Sequence, residues 1–136
     1  MPKLLGIDFG TKRIGLAITD DLQLIGSPWK TLTTPTFWAE ISDIIAQEKI
    51  AAIVVGIAHY RDGKASETTL LQKEFIQKLN RKFPALSVHT MDERYTSKLA
   101  SQSIHQLGLG KKKREDKSLV DKISAAIILQ SYLDNR

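Results

Sequence analysis

Cysteine is absent from the 136-residue sequence, which excludes a disulfide framework and a thiolate metal site and accords with a reducing compartment. No stretch approaches the roughly 20 consecutive apolar residues that a bilayer-spanning helix needs. The start of the chain lacks a basic region followed by an apolar stretch and a small-residue cleavage site. A soluble, cytoplasmic protein with no membrane partner is therefore expected. The three histidines, His59, His89 and His105, are too scattered to suggest a zinc site. Repeats, low-complexity tracts and linkers are missing too. A chain of 136 residues can bury a core without staples, so one domain over residues 1–136 is expected.

What is present is an ordinary globular balance of 42% hydrophobic and 26% charged residues. The formal charge is +5, which suits a polyanionic partner without demanding one. Its distribution says more than its sum. The run GKKKREDK, Gly110 to Lys117, holds five of the twenty basic residues in eight positions.

Leu4–Phe9 and Ile14–Thr19 read as two strands joined by the short polar turn GTKR, an antiparallel hairpin. Leu22–Trp29 reads as a weaker third strand, closed by Ser27-Pro28. Pro35 opens a helix whose Phe37, Trp38, Ile41, Ile44 and Ile45 fall at helical spacing. Ile50–Ile57 is a continuous apolar run of the kind found in a strand covered on both faces. A helix over Ser66–Lys82 carries one stripe of Leu70, Leu71, Phe75, Ile76 and Leu79. ALSVHTM is a fifth strand, DERYTS leads into a further helix through Gln106, and a last helix spans Lys117–Leu133. The order βββαβαβαα predicts an α/β fold: a mixed sheet with helices on both faces.

Carboxylates fall where charge is awkward. Asp8 lies inside the most strand-like segment, where an uncompensated charge costs several kcal/mol. Asp92 and Glu93 come directly after the fifth strand. Asp121 sits one turn into the last helix, sharing a face with Ala125, Ile128 and Tyr132 at spacings of i+4, i+7 and i+11. Each acid has a plain alternative: Asp8 a turn acid, Asp121 a helix-start residue favoured by the dipole, Glu93 an ion pair with Arg94. In open α/β sheets, sites form beyond the carboxyl ends of strands. A hard divalent cation with oxygen ligands would relieve all of these positions together. A phosphate-binding hairpin of the kind that opens actin-like ATPases and sugar kinases fits less well, since no second glycine-rich phosphate loop follows.

Three segments in this order resemble the YqgF/RuvX family of pre-16S rRNA nucleases and Holliday-junction-resolvase-like proteins: GIDFGTKRIGLAITD, DERYTS and KSLVDKISAAIILQSYL. With IVVG before the second helix, the resemblance runs through essentially the whole chain. It departs from the family pattern at GIAHYRDG, Gly56–Gly63, where members commonly carry GLP and an asparagine-containing turn. The resemblance implies an RNase H-like, five-stranded mixed sheet with its first three strands antiparallel. It also implies Asp8, Glu93 and Asp121 as catalytic and metal-binding carboxylates; Asp92 matches the acidic motif too but is expected to point inward less than Glu93.

The implied chemistry is metal-dependent hydrolysis of phosphodiesters, with two Mg²⁺ or Mn²⁺ ions about 3.5–4 Å apart and 5′-phosphate products. Lys12 and Arg13, in the turn beyond Asp8, are placed for a phosphate beside the scissile one. Lys111, Lys112, Lys113 and Arg114 are placed to grip the backbone as point charges that carry no sequence information. The family implies precursor 16S rRNA, in or near ribosomal particles, as the substrate. Branched DNA is the alternative, and a junction resolvase would have to be a dimer. No dimer surface is evident in the sequence, so a monomer or weak dimer is expected. A non-catalytic nucleic-acid-binding factor is the third reading, and retention of all three acids weighs against it.

Overall fold

The computed structural model describes residues 2–57, 67–92 and 117–136. Strands β1 (Lys3–Phe9) and β2 (Arg13–Thr19) form the expected hairpin, followed by β3 (Gly26–Thr33), α1 (Thr34–Glu48), β4 (Ile50–Ile57), α2 (Glu67–Lys82), β5 (Ser87–Asp92) and α3 (Lys117–Asn135). The sheet order is β3-β2-β1-β4-β5. The β1–β2 and β2–β3 pairs are antiparallel, whereas β1–β4 and β4–β5 are parallel. This is the mixed sheet that the element order predicts. The helix expected through Gln106 lies outside the described residues.

Alternation along β1 sorts the sequence onto two faces. Leu5 and Ile7 join Ile53 and Val55 of β4 in a core closed by Phe37, Ile41 and Ile44 of α1 and Phe75 and Leu79 of α2. Leu4 joins Ala17, Ala52 and Val54 against Ala125, Ala126, Ile128 and Leu129 of α3. The apolar run of β4 is thus buried from both sides, as its composition predicts. The two faces differ in depth: bulky side chains separate the sheet from α1 and α2, while small ones meet α3. At Gly6 a Cβ would stand 2.7 Å from the Leu129 Cβ and 2.9 Å from the Ala125 carbonyl oxygen. Among the described residues no helix is long and apolar enough to cross a membrane.

Helix α1 starts where its sequence dictates. The Thr33 hydroxyl accepts the Thr36 N–H at 3.4 Å, and proline occupies the first turn, where its missing donor costs nothing.

The third strand departs from expectation. It begins at Gly26, not Leu22, and runs on to Thr33 through Ser27-Pro28. Leu22, Leu24 and Ile25 look strand-like in sequence but are each 62% exposed. The cause is Asp20, whose Oδ1 accepts the N–H groups of Leu24 and Ile25, both at 2.9 Å. The Gln23 N–H bonds the Asp20 carbonyl at 3.0 Å, and Gln23 itself takes a φ of 56°. This side-chain-built turn uses up the residues read as strand. Pro28 is tolerated because β3 is an outer strand of the described sheet, and it pairs with Ala17 beside a register shift.

The same turn makes an acid-sensitive element. Hydrogen bonds from Ile25 and then Leu24 hold the Asp20 carboxyl below its ordinary pKa. The ionised form is therefore favoured in the folded turn. Its stabilisation is complete above the ordinary aspartate value and fades as pH falls through the lowered one. Amide exchange at Leu24 and Ile25, measured between about pH 5 and pH 2, is expected to lose protection relative to the β1–β2 ladder. Asp20→Ala should leave those amides unprotected throughout. Equal protection in both proteins would remove the carboxylate from the turn.

Candidate active site

The parallel strands β1, β4 and β5 bring their carboxyl ends to one edge of the sheet, at Phe9, Ile57 and Asp92. Asp8 occupies that edge, half-buried, in direct register with Gly15 of β2. Strand alternation puts its side chain on the face of Leu4 and Gly6, which is the face α3 covers. Residues directly opposed in an antiparallel pair project to the same side. Gly15 therefore faces α3 as well, and a Cβ added there would run into the Asp121 carbonyl. Asp121 and Asp8 thus flank a single glycine, and the absence of a side chain at Gly15 lets the helix come down beside the strand.

Arg13 completes this corner. Its Nε donates to Asp121 Oδ2 at 2.8 Å, with the arginine side chain 37% and the aspartate 23% exposed. Pairing of this kind at a partly solvated site contributes on the order of 0.2–1 kcal/mol. Its consequence is positional: the guanidinium fixes the Asp121 carboxylate toward the hairpin turn.

The turn itself is tied to the start of α1. Thr34 donates its N–H to the Lys12 carbonyl at 3.1 Å and its hydroxyl to the carbonyls of Gly10 at 3.3 Å and Thr11 at 3.0 Å. The Gly10 N–H closes the turn on the Arg13 carbonyl at 2.9 Å. Lys12 is exposed at its tip.

The structure therefore brings Asp8, Arg13 and Asp121 together, with Lys12 next to them. Asp92, the last residue of β5, is exposed. Glu93 follows it in the chain and lies outside the described residues, as do Lys111, Lys112, Lys113 and Arg114 and the departure at 58–63. Among the described residues no three His, Cys, Asp or Glu side chains form a metal-binding group. The two aspartates supply hard oxygen donors suited to Mg²⁺ or Mn²⁺. Ser124, one turn beyond Asp121, is buried, and its hydroxyl has no hydrogen-bond partner. The donor chemistry fits a hard divalent cation.

Reading the sequence missed two features of this corner. One is the role of Gly15, whose signal was available as a glycine inside a strand. The other is the link of Arg13 to Asp121 across 108 positions, which carried no sequence signal.

The antiparallel three-strand start, the two parallel strands and the packed terminal helix define an RNase H-like fold of the RuvC type. T. thermophilus RuvC in complex with a Holliday junction substrate aligns with a TM-score of 0.61 over 100% of this chain and 96% of that one, at 16% identity. That likeness establishes the fold.

The family model described as "RuvX: Holliday junction resolvase" matches residues 2–135. The chain belongs to the RuvX family. A Flavobacterium psychrophilum relative named "Putative pre-16S rRNA nuclease" is 40% identical over 136 residues, covering 100% of this chain and 99% of the relative. A Christiangramia forsetii protein of the same name is 43% identical over 133 residues, covering 98% of each.

Proposed function

We propose that this protein is a divalent-metal-dependent nuclease that hydrolyses phosphodiester bonds, and that its substrate is the 5′ end of precursor 16S rRNA. The meeting of Asp8 and Asp121 across Gly15, at the carboxyl edge of the sheet, carries the reading. Asp8, Asp121 and Glu93 would hold two Mg²⁺ or Mn²⁺ ions. Bound there, the ions would supply a hydroxide nucleophile near neutral pH and charge to steady the leaving 3′ oxygen. Asp8, on a strand buried from both faces, holds its carboxylate most rigidly. Arg13 orients Asp121 and offsets like-charge repulsion between the acids. Lys12, on a turn pinned by Thr34, meets the phosphate next to the scissile one. Lys111 to Arg114 neutralise phosphates further along. The products would carry 5′-phosphates.

The names of the relatives favour the RNA substrate, and the description of the family model favours branched DNA as the second reading. Incubation with Mg²⁺ or Mn²⁺ and two labelled substrates, an rRNA 5′ leader and a four-way DNA junction, separates them. Cleavage of the leader is expected. Cleavage of the junction alone, by a dimer, would replace the RNA reading with a resolvase. Salt-sensitive binding of either with no cleavage would leave a non-catalytic binding factor.

A further inference from the structure

On the face of the sheet opposite α3, an open groove of about 210 Å³ lies between α1 and α2. We propose that it receives the base of an unpaired nucleotide next to the scissile phosphate, an inference that rests on the nuclease reading.

The floor is aromatic. Phe9 stacks on Phe75 with ring centroids 4.6 Å apart, and Trp38 lies 5.3 Å from Phe75. Leu71 and Thr34 add to the lining. Trp38 stays only partly buried although it packs against the core, so part of a flat, polarisable surface faces solvent. Nucleobases stack on such surfaces regardless of sequence.

Charge defines the rest. Lys78 Nζ stands 4.1 Å from the Trp38 ring centroid and Lys82 Nζ 5.5 Å from it, both in cation–π range. These ammonium groups flank the groove on the α2 side. At the other end Thr34 lines the groove and also anchors the turn that carries Lys12. Cations at both ends match a chain of phosphates entering and leaving. The one acid in the lining, Glu74, repels a phosphate from the floor and can accept a hydrogen bond from an exocyclic amine. A base therefore enters and its phosphates stay at the rim.

Position links the groove to the reaction centre. Phe9 follows Asp8 directly, and alternation sends the two side chains to opposite faces at the same sheet edge. A strand whose phosphate sits at Asp8 can turn over that edge and lay its neighbouring base on Phe9. An unpaired nucleotide does this at least cost, since a paired base must first be drawn out of its stack. The substrate class is thus a single-stranded segment, or a duplex end with a single-stranded extension.

The test is equilibrium binding in metal-free buffer, where no cleavage occurs. The probes are RNA hairpins with a 5′ extension carrying 2-aminopurine or an abasic site at successive positions. Quenching of 2-aminopurine at one or two positions is expected, and an abasic site there should weaken binding roughly 5- to 100-fold. Leu71→Glu, at the half-buried rim, should abolish the quenching without changing the melting temperature. Lys78→Ala with Lys82→Ala should flatten the plot of log affinity against log salt by about 1.4. Quenching at no position, or quenching untouched by Leu71→Glu, overturns the proposal. Cleavage is assayed separately with Mg²⁺. Cleavage indifferent to every abasic position removes the groove and leaves the nuclease. Position-specific stacking without cleavage removes the nuclease and leaves the groove.

Discussion

Gly15→Ala is expected to lower stability by roughly 3 kcal/mol or more, the upper end of what overpacking a core costs, and to take activity with it. The added methyl meets the Asp121 carbonyl and stands 2.9 Å from the Lys122 nitrogen. These are main-chain atoms of a helix, so no rotamer change relieves the clash. Helix α3 must lift, and in lifting it uncovers Ala125 and Leu129, both fully buried, and draws Asp121 away from Asp8. A melt followed by far-ultraviolet circular dichroism should show a midpoint about 10 °C lower. A wild-type midpoint with wild-type cleavage would show that α3 does not rest on this glycine.

The second large effect separates chemistry from folding. Asp8→Asn keeps the size and shape of the side chain and removes its charge. Cleavage should fall by about 100-fold or more, beyond the loss typical for residues that only orient a metal ligand. Stability without metal should change little, because the amide keeps the volume and an acceptor oxygen of the carboxylate. Added Mg²⁺ should raise the melting temperature of the wild type more than that of the variant. Full metal-dependent activity in Asp8→Asn would remove Asp8 from the site. A fall in metal-dependent cleavage accompanied by a lower melting temperature in the absence of metal would assign it a structural role.

Much of this architecture was legible in the chain because its periodicities are unambiguous. Residues Ile50–Ile57 read as a strand buried from both sides, and the spacing of Phe37, Ile41 and Ile44 as one face of a helix, and the structure has both. The third strand was not legible, because Leu22, Leu24 and Ile25 mimic a strand while the Asp20 carboxylate folds them into a turn. Local hydrogen bonding outweighed hydrophobic pattern there. In the site, Asp8 and Asp121 stood out as acids in apolar settings. Their adjacency did not, since it depends on the register that sets Asp8 opposite Gly15 and on the path of a helix a hundred residues later. Arg13 reads as a phosphate ligand by position, and the fold gives its Nε to Asp121.

Pro28 carries a consequence for life at high concentration. An outer strand is a template on which other chains can pair and begin fibrous growth. In β3 the proline removes a backbone donor in mid-strand, and the register shift beside it interrupts the regular ladder. A second molecule laid along β3 would find neither an unbroken row of donors nor a flat ribbon. The residue that reads in sequence as the close of the strand sits inside it and blunts it as a seed for aggregation.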